Sequence, residues 1–123
     1  MPQRSFQQFR EDRARGNEAV LNTEHLGIKR FFNLDSAAYR DGALPGRTKE
    51  LLGLVASAVL RCNDCVDYHL EQCVEQGWTL EEIEDALNVA LLVGGSIVIP
   101  HLRHARISLD ELFAEKGRAS GGG

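Results

Sequence analysis

Apolar residues along this chain recur at helical spacing, not at the alternation of a half-buried strand. The clearest case is Arg47 to Leu60, where Leu51, Leu54, Val55, Ala58 and Val59 make a continuous stripe on one face. From Gly27 to Tyr39, Ile28, Phe31, Phe32, Leu34, Ala37 and Ala38 fit one buried helical face. The stretch before it, about Ser5 to Leu26, is polar with sparse apolar positions, and is expected to be a helix wrapping the body or a neighbour. Asp41-Gly42 and Pro45-Gly46 punctuate a loop. Asn63 to Gln76 reads as a further helix, closed by Gly77 at the C′ position. Thr79 and Glu82 have capping-box spacing and open a helix through Ile83, Ala86, Leu87, Ala90 and Leu91, which Gly94-Gly95 breaks. A last helix is expected from about Ser96 to Glu115, with Pro100 near its first turn, where proline is tolerated. The expected fold is all-α, a compact bundle of five to six helices with short connections.

Length and composition narrow this further. A chain of 123 residues, 43% apolar and 26% charged, suits one domain able to bury a core. Residues 1–123 are read as that single domain, with 1–20 as a polar N-terminal helix or arm and 117–123 as a tail flexible by composition. The formal net charge is −4, and the arginines (Arg10, Arg13 and Arg15 near the start, Arg103 and Arg106 near the end) are scattered, as on solvated helix faces. No nucleic-acid partner is expected. The first residues carry no apolar stretch, and the longest apolar run, Ala86 to Pro100, is interrupted by Asn88, Gly94, Gly95 and Ser96. No secretory signal and no membrane span are therefore expected, and a cytoplasmic location follows as the default.

Three cysteines do not suggest a disulfide framework; they suggest redox work, metal binding or packing. Cys62 and Cys65 lie three apart at a helix start, so they share a face, and the N-terminal dipole there favours thiolate, the attacking species. His69 follows Cys65 by four residues and can take a proton from a cysteine. Cys73 continues the same face, either as a third thiol or, more simply, as a small buried hydrophobe. If the chain turns near Leu60 to Cys62 and the two helices run antiparallel, Glu50 falls level with the stretch from His69 to Cys73, where it can orient His69 or take its proton.

Glu50, eleven residues, Cys62-Asn63-Asp64-Cys65, three residues and His69 resemble the signature of the alkylhydroperoxidase D-like family, within the carboxymuconolactone decarboxylase superfamily. Gly94-Gly95 is similar to that family's glycine break, and the resemblance covers roughly Leu34 to His104. It implies an all-helical homo-oligomer, a trimer or hexamer. It also implies roles: Cys65 attacks peroxide, Cys62 condenses with the resulting sulfenic acid, and Glu50 and His69 relay the proton. The substrate would be a hydroperoxide or a disulfide, and an external dithiol or reductase protein would restore the pair. Cys62, nearer the end of its helix, is expected to meet that reductant. No cofactor is implied. The chain departs from the best-known members in carrying Asp64, where they have histidine, before the second cysteine. A carboxylate there opposes thiolate formation, which adds weight to disulfide reduction.

Other readings use the same residues. A decarboxylase-like enzyme acting on a small lactone acid would not need two cysteines. His101 and His104, on the last helix, would line a substrate pocket or lie at the surface. A metal site would draw on Cys62, Cys65, His69 and Cys73, but on one unbroken helix these span about 16 Å and cannot close one tetrahedron. A non-catalytic helical interaction protein would keep its cysteines as packing.

Overall fold

The computed structural model describes residues 3–121. Its elements are α1 (Phe6–Leu21), α2 (Leu26–Ala38), α3 (Gly46–Val59), α4 (Asn63–Glu75), α5 (Leu80–Gly94), a single 3₁₀ turn (Ser96–Val98) and α6 (Ile99–Gly121). No strand occurs among the described residues, so the all-α reading holds. None of these helices is long and apolar enough to cross a membrane.

Helix starts and stops follow local chemistry. The Ser5 hydroxyl accepts the Gln8 N–H at 3.1 Å and opens α1. Asp41 accepts the Gly46 N–H at 2.7 Å, supplying the cap that Pro45 cannot give α3. Thr79 and Glu82 make both bonds of their capping box, at 3.1 and 2.9 Å. Gly77 follows α4 at φ 88°, and Trp78 donates back to the Cys73 carbonyl. At the end of α5, Gly95 takes φ 82° and a Cβ on Gly94 would fall 2.4 Å from Val98 Cγ2. That close approach lets the chain reverse in one 3₁₀ turn. Pro100 then occupies the first turn of α6, whose N–H groups need no helical partner. The last helix continues past Glu115, through residues 117–121; Met1, Pro2, Gly122 and Gly123 lie outside the described residues.

The core sits between α3, α4, α5 and α6. Leu54, Val66, Leu70, Ile83, Leu87 and Leu109 are fully or almost fully buried there, each contributing about 1.5–3 kcal/mol by removal from water. α3 packs on both α4 and α5, and α4 packs also on α6. One end of the α3–α4 pair is pinned by Trp78, whose Nε1 donates to the Arg47 carbonyl at 3.0 Å while the Arg47 guanidinium stacks 3.5 Å from the ring centroid. This fixes the antiparallel register of the two helices.

Two expectations change. On α1, which packs on the body through buried Phe6 and Phe9, Arg10 is not the solvated surface group expected. Its guanidinium forks onto both oxygens of Glu115 at 2.8 and 2.9 Å and also pairs with Glu71. α2, by contrast, has no buried residue, and Phe31 and Leu34 remain 67% and 69% exposed. Its apolar stripe is present, but it packs mainly on α1 and turns away from the core. A second apolar group is exposed at the far end of α5, where Leu92 is 83% exposed, together with Val93 and Ile97.

Candidate active site

The turn between α3 and α4 is short and locally strained. Arg61 adopts φ 63°, a left-handed conformation that costs a residue with a Cβ about 1 kcal/mol or more. Cys62 N–H then returns to the Ser57 carbonyl and Arg61 N–H to that of Ala58, closing α3 with a Schellman motif. The next residue, Cys62, is the N-cap of α4, and its sulfur accepts the Cys65 N–H at 3.2 Å. Cys62 and Cys65 are paired as a disulfide, with Cα atoms 5.3 Å apart. Cys65 is exposed and Cys62 half-buried, which reverses the expected order of access: the capping role draws Cys62 inward, and one helical step turns Cys65 to solvent.

The register of α3 against α4 brings Glu50 to His69. Glu50 Oε2 lies 2.8 Å from His69 Nδ1, and the two side chains are only 6% and 10% exposed. An ionised carboxylate can only accept, so it holds hydrogen on Nδ1 and leaves the lone pair of the neutral ring on Nε2. Both residues belong to the same chain.

Nε2 meets the Tyr39 hydroxyl at 3.4 Å. The imidazole packs against two phenol rings, Tyr39 at 5.3 Å and Tyr68 edge-on at 5.0 Å. Burial, with Asp35 and Glu50 nearby, pushes both tyrosines above the usual phenol range, so each keeps its hydroxyl hydrogen. Gly53, one turn after Glu50, makes room for this arrangement: a Cβ there would lie 2.7 Å from His69 Cε1 and 2.8 Å from the Tyr39 hydroxyl.

His69 and Cys65 open together into a cleft of about 470 Å³, walled by α1 and α2. Phe9, Arg13, Val20, Asp35 and Tyr68 also line it. The Arg13 guanidinium lies 4.3 Å over the Tyr68 ring. Arg4 donates to Asp64 at 2.8 Å and to Asp12 at 3.1 Å.

The remaining candidates lie elsewhere. Cys73 is fully buried, and burial, with Glu50 nearby, pushes its thiol up to about 12, so it stays protonated and packs as an apolar side chain. His101 binds Asn63 Oδ1 at 2.8 Å, and His104 binds Asp67 at 2.9 Å. Neither lines the cleft; both fasten α6 to α4. Among the described residues, no three His, Cys, Asp or Glu side chains are grouped to hold a metal ion.

The structure thus brings together Glu50, Cys62, Cys65 and His69, the residues singled out in the sequence, and adds Tyr39, Gly53 and Arg4 around them, which the sequence reading did not single out. The one available signal was Gly53, a glycine inside the best apolar helix.

Comparison with known proteins agrees with this architecture. The sequence model of the Carboxymuconolactone decarboxylase family matches residues 28–106. The structure is similar to that of a carboxymuconolactone decarboxylase family protein from Thermotoga maritima, for which a part in the antioxidative response has been suggested. The two are 56% identical with a TM-score of 0.83, over 93% of this chain and 95% of that one. An uncharacterized protein of the cox locus of Paracoccus denitrificans is 32% identical over 82 residues, 67% of this chain and 74% of its own. The alkyl hydroperoxide reductase AhpD of Rhodospirillum centenum is also 32% identical over 82 residues, but these span 63% of this chain and 44% of that longer protein.

Proposed function

Because the chain belongs to the carboxymuconolactone decarboxylase family, we propose that it is an antioxidant enzyme that reduces hydroperoxides, or disulfides, through its Cys62–Cys65 pair. The observation that carries this reading is the single cleft in which exposed Cys65 stands beside His69, itself backed by buried Glu50. The relation to an alkyl hydroperoxide reductase points the same way.

In the reduced protein, His69 Nε2 takes the Cys65 proton, with Glu50 stabilising the imidazolium through Nδ1–H. The thiolate attacks a peroxide oxygen: an S–O bond forms, the O–O bond breaks, and the departing alkoxide recovers the proton to leave as an alcohol. Cys65 is then a sulfenic acid. Cys62 sulfur attacks it, water departs, and the disulfide results. An external dithiol, free or on a reductase protein, takes up that oxidation and returns both thiols. The same pair acts on a disulfide substrate by exchange.

The deciding measurement is free-thiol loss after mixing the reduced protein with an organic hydroperoxide, beside Cys65→Ser. Rapid loss of two thiols in the native protein alone is the expected result. Loss in both at the slow rate of an ordinary exposed thiol removes the peroxidase reading in favour of disulfide exchange or decarboxylase-type chemistry.

The exposed apolar stripes on α2 and at the end of α5 support a homo-oligomer, a trimer or hexamer by family resemblance. Light scattering is expected to give such a multiple of 13.6 kDa, and Phe31→Glu to reduce it. A native monomer would refute this part.

A further inference from the structure

Asp64 is an awkward neighbour for a reactive thiol. It lies between the paired cysteines, in the first turn of α4, where a negative charge suits the helix dipole but disfavours thiolate on the adjacent Cys65. The chain places a cation on it. Arg4, just ahead of α1, donates to Asp64 at 2.8 Å and, through its other nitrogen, to Asp12 at 3.1 Å. Its guanidinium also rests 5.2 Å over the Phe9 ring. The buried Phe6 and Phe9 and the Arg10 fork onto Glu71 and Glu115 hold α1 in place, so Arg4 is delivered to the redox pair from an anchored element.

We infer that Arg4 is a positioning residue of the site: by neutralising Asp64 it removes the charge that opposes Cys65 thiolate, and it ties α1 down as a wall of the cleft. This rests on Cys65 being the reactive thiol, though not on the identity of its oxidant. Other charged or titratable groups face the cleft. They are Asp12 and Arg13 from α1, Asp35 from α2, Tyr68 and His69 from α4, with Glu50 of α3 and Tyr39 behind His69. His101 of α6 touches Asn63. Among the described residues, Arg4–Asp64 is the ion pair that reaches into the Cys62–Cys65 segment.

The test reads thiolate directly. In a Cys62→Ser background the rate of Cys65 alkylation by iodoacetamide is followed against pH. Arg4→Gln is expected to move the Cys65 titration upward and to slow alkylation near neutral pH by about threefold, the scale of an exposed ion pair. Arg4→Lys should recover most of the loss. Asp64→Asn, added to Arg4→Gln, should abolish it, because the opposing charge is then gone. In 1 M salt the Arg4→Gln defect should shrink. An unchanged titration in Arg4→Gln overturns the inference, as does a defect that persists with Asp64→Asn, which would mark a purely structural wall. If the titration responds as expected while hydroperoxide reacts slowly with the native protein, the inference stands and the peroxidase reading fails.

Discussion

Two carboxylate–imidazole pairs flank α4, and they are built from the same parts for different ends. On the side of α3, Glu50 holds His69; on the side of α6, Asp67 holds His104. Both carboxylates are buried and both pairs span less than 3 Å. The difference lies in what else they touch. Asp67 also accepts the Ser108 hydroxyl at 2.6 Å, and Gln3 closes over Ser108 and the His104 carbonyl. None of these groups lines the cleft, and their bonds run between α4, α6 and the segment ahead of α1, so the product of the cluster is the attachment of α6 to α4. The Glu50–His69 pair ends instead in a nitrogen that meets only a tyrosine hydroxyl, at a long 3.4 Å, beside a cleft holding an exposed sulfur. A buried acid–histidine pair is therefore not itself a sign of chemistry; what sets Glu50–His69 apart is that it opens on a cleft shared with an exposed cysteine.

The sharpest way to break this comparison is to neutralise each carboxylate isosterically. Glu50→Gln and Asp67→Asn should each lose about 2 kcal/mol in denaturant unfolding, since each disturbs a buried hydrogen-bonded acid. Their rates of thiol loss with hydroperoxide should diverge. Glu50→Gln should fall by about a hundredfold, the scale of general-base assistance, while Asp67→Asn stays within about threefold of native, a bound for a group that takes no part in proton transfer. Equal rate losses would erase the distinction. A smaller effect sharpens it. Tyr39→Phe removes the one partner of His69 Nε2, and about fivefold slower thiol loss is expected, the worth of one neutral hydrogen bond. Tyr68→Phe, which keeps the edge-on ring contact, should leave the rate alone. If the two phenylalanine variants behave alike, the Tyr39 hydroxyl has no share in the relay.

Which features could be read from the sequence follows from how local their causes are. The spacing of Glu50, Cys62, Cys65 and His69 translates into place because two helices and a three-residue turn connect them, and helical rise is regular. The Thr79–Glu82 cap and the stop at Gly77 depend on a few neighbouring residues. Tyr39 is different. It reaches His69 from the end of α2, across a loop whose path is set by Lys49, which binds the Ala38 and Arg40 carbonyls at 2.9 and 2.8 Å. Arg4 lies 60 residues from Asp64, and nothing near either residue announces the pair. For α2 the period was readable but the partner was not: an amphipathic stripe says that a face wants covering, and Phe31 and Leu34 show that the cover does not come from this chain's core.

The sulfur that caps α4 also gives the disulfide a direction. In the proposed cycle, an incoming thiolate entering the cleft would meet Cys65, the exposed partner, and displace Cys62. Cys62 already receives the Cys65 amide hydrogen at the positive end of a helix. A donor held on Cys62 at a helix start would favour it as the leaving group, since displacement is faster the more stable the departing thiolate. The two halves of the proposed cycle would then divide the pair unequally, with bonds made and broken by outside molecules at Cys65 and negative charge parked at Cys62 between them.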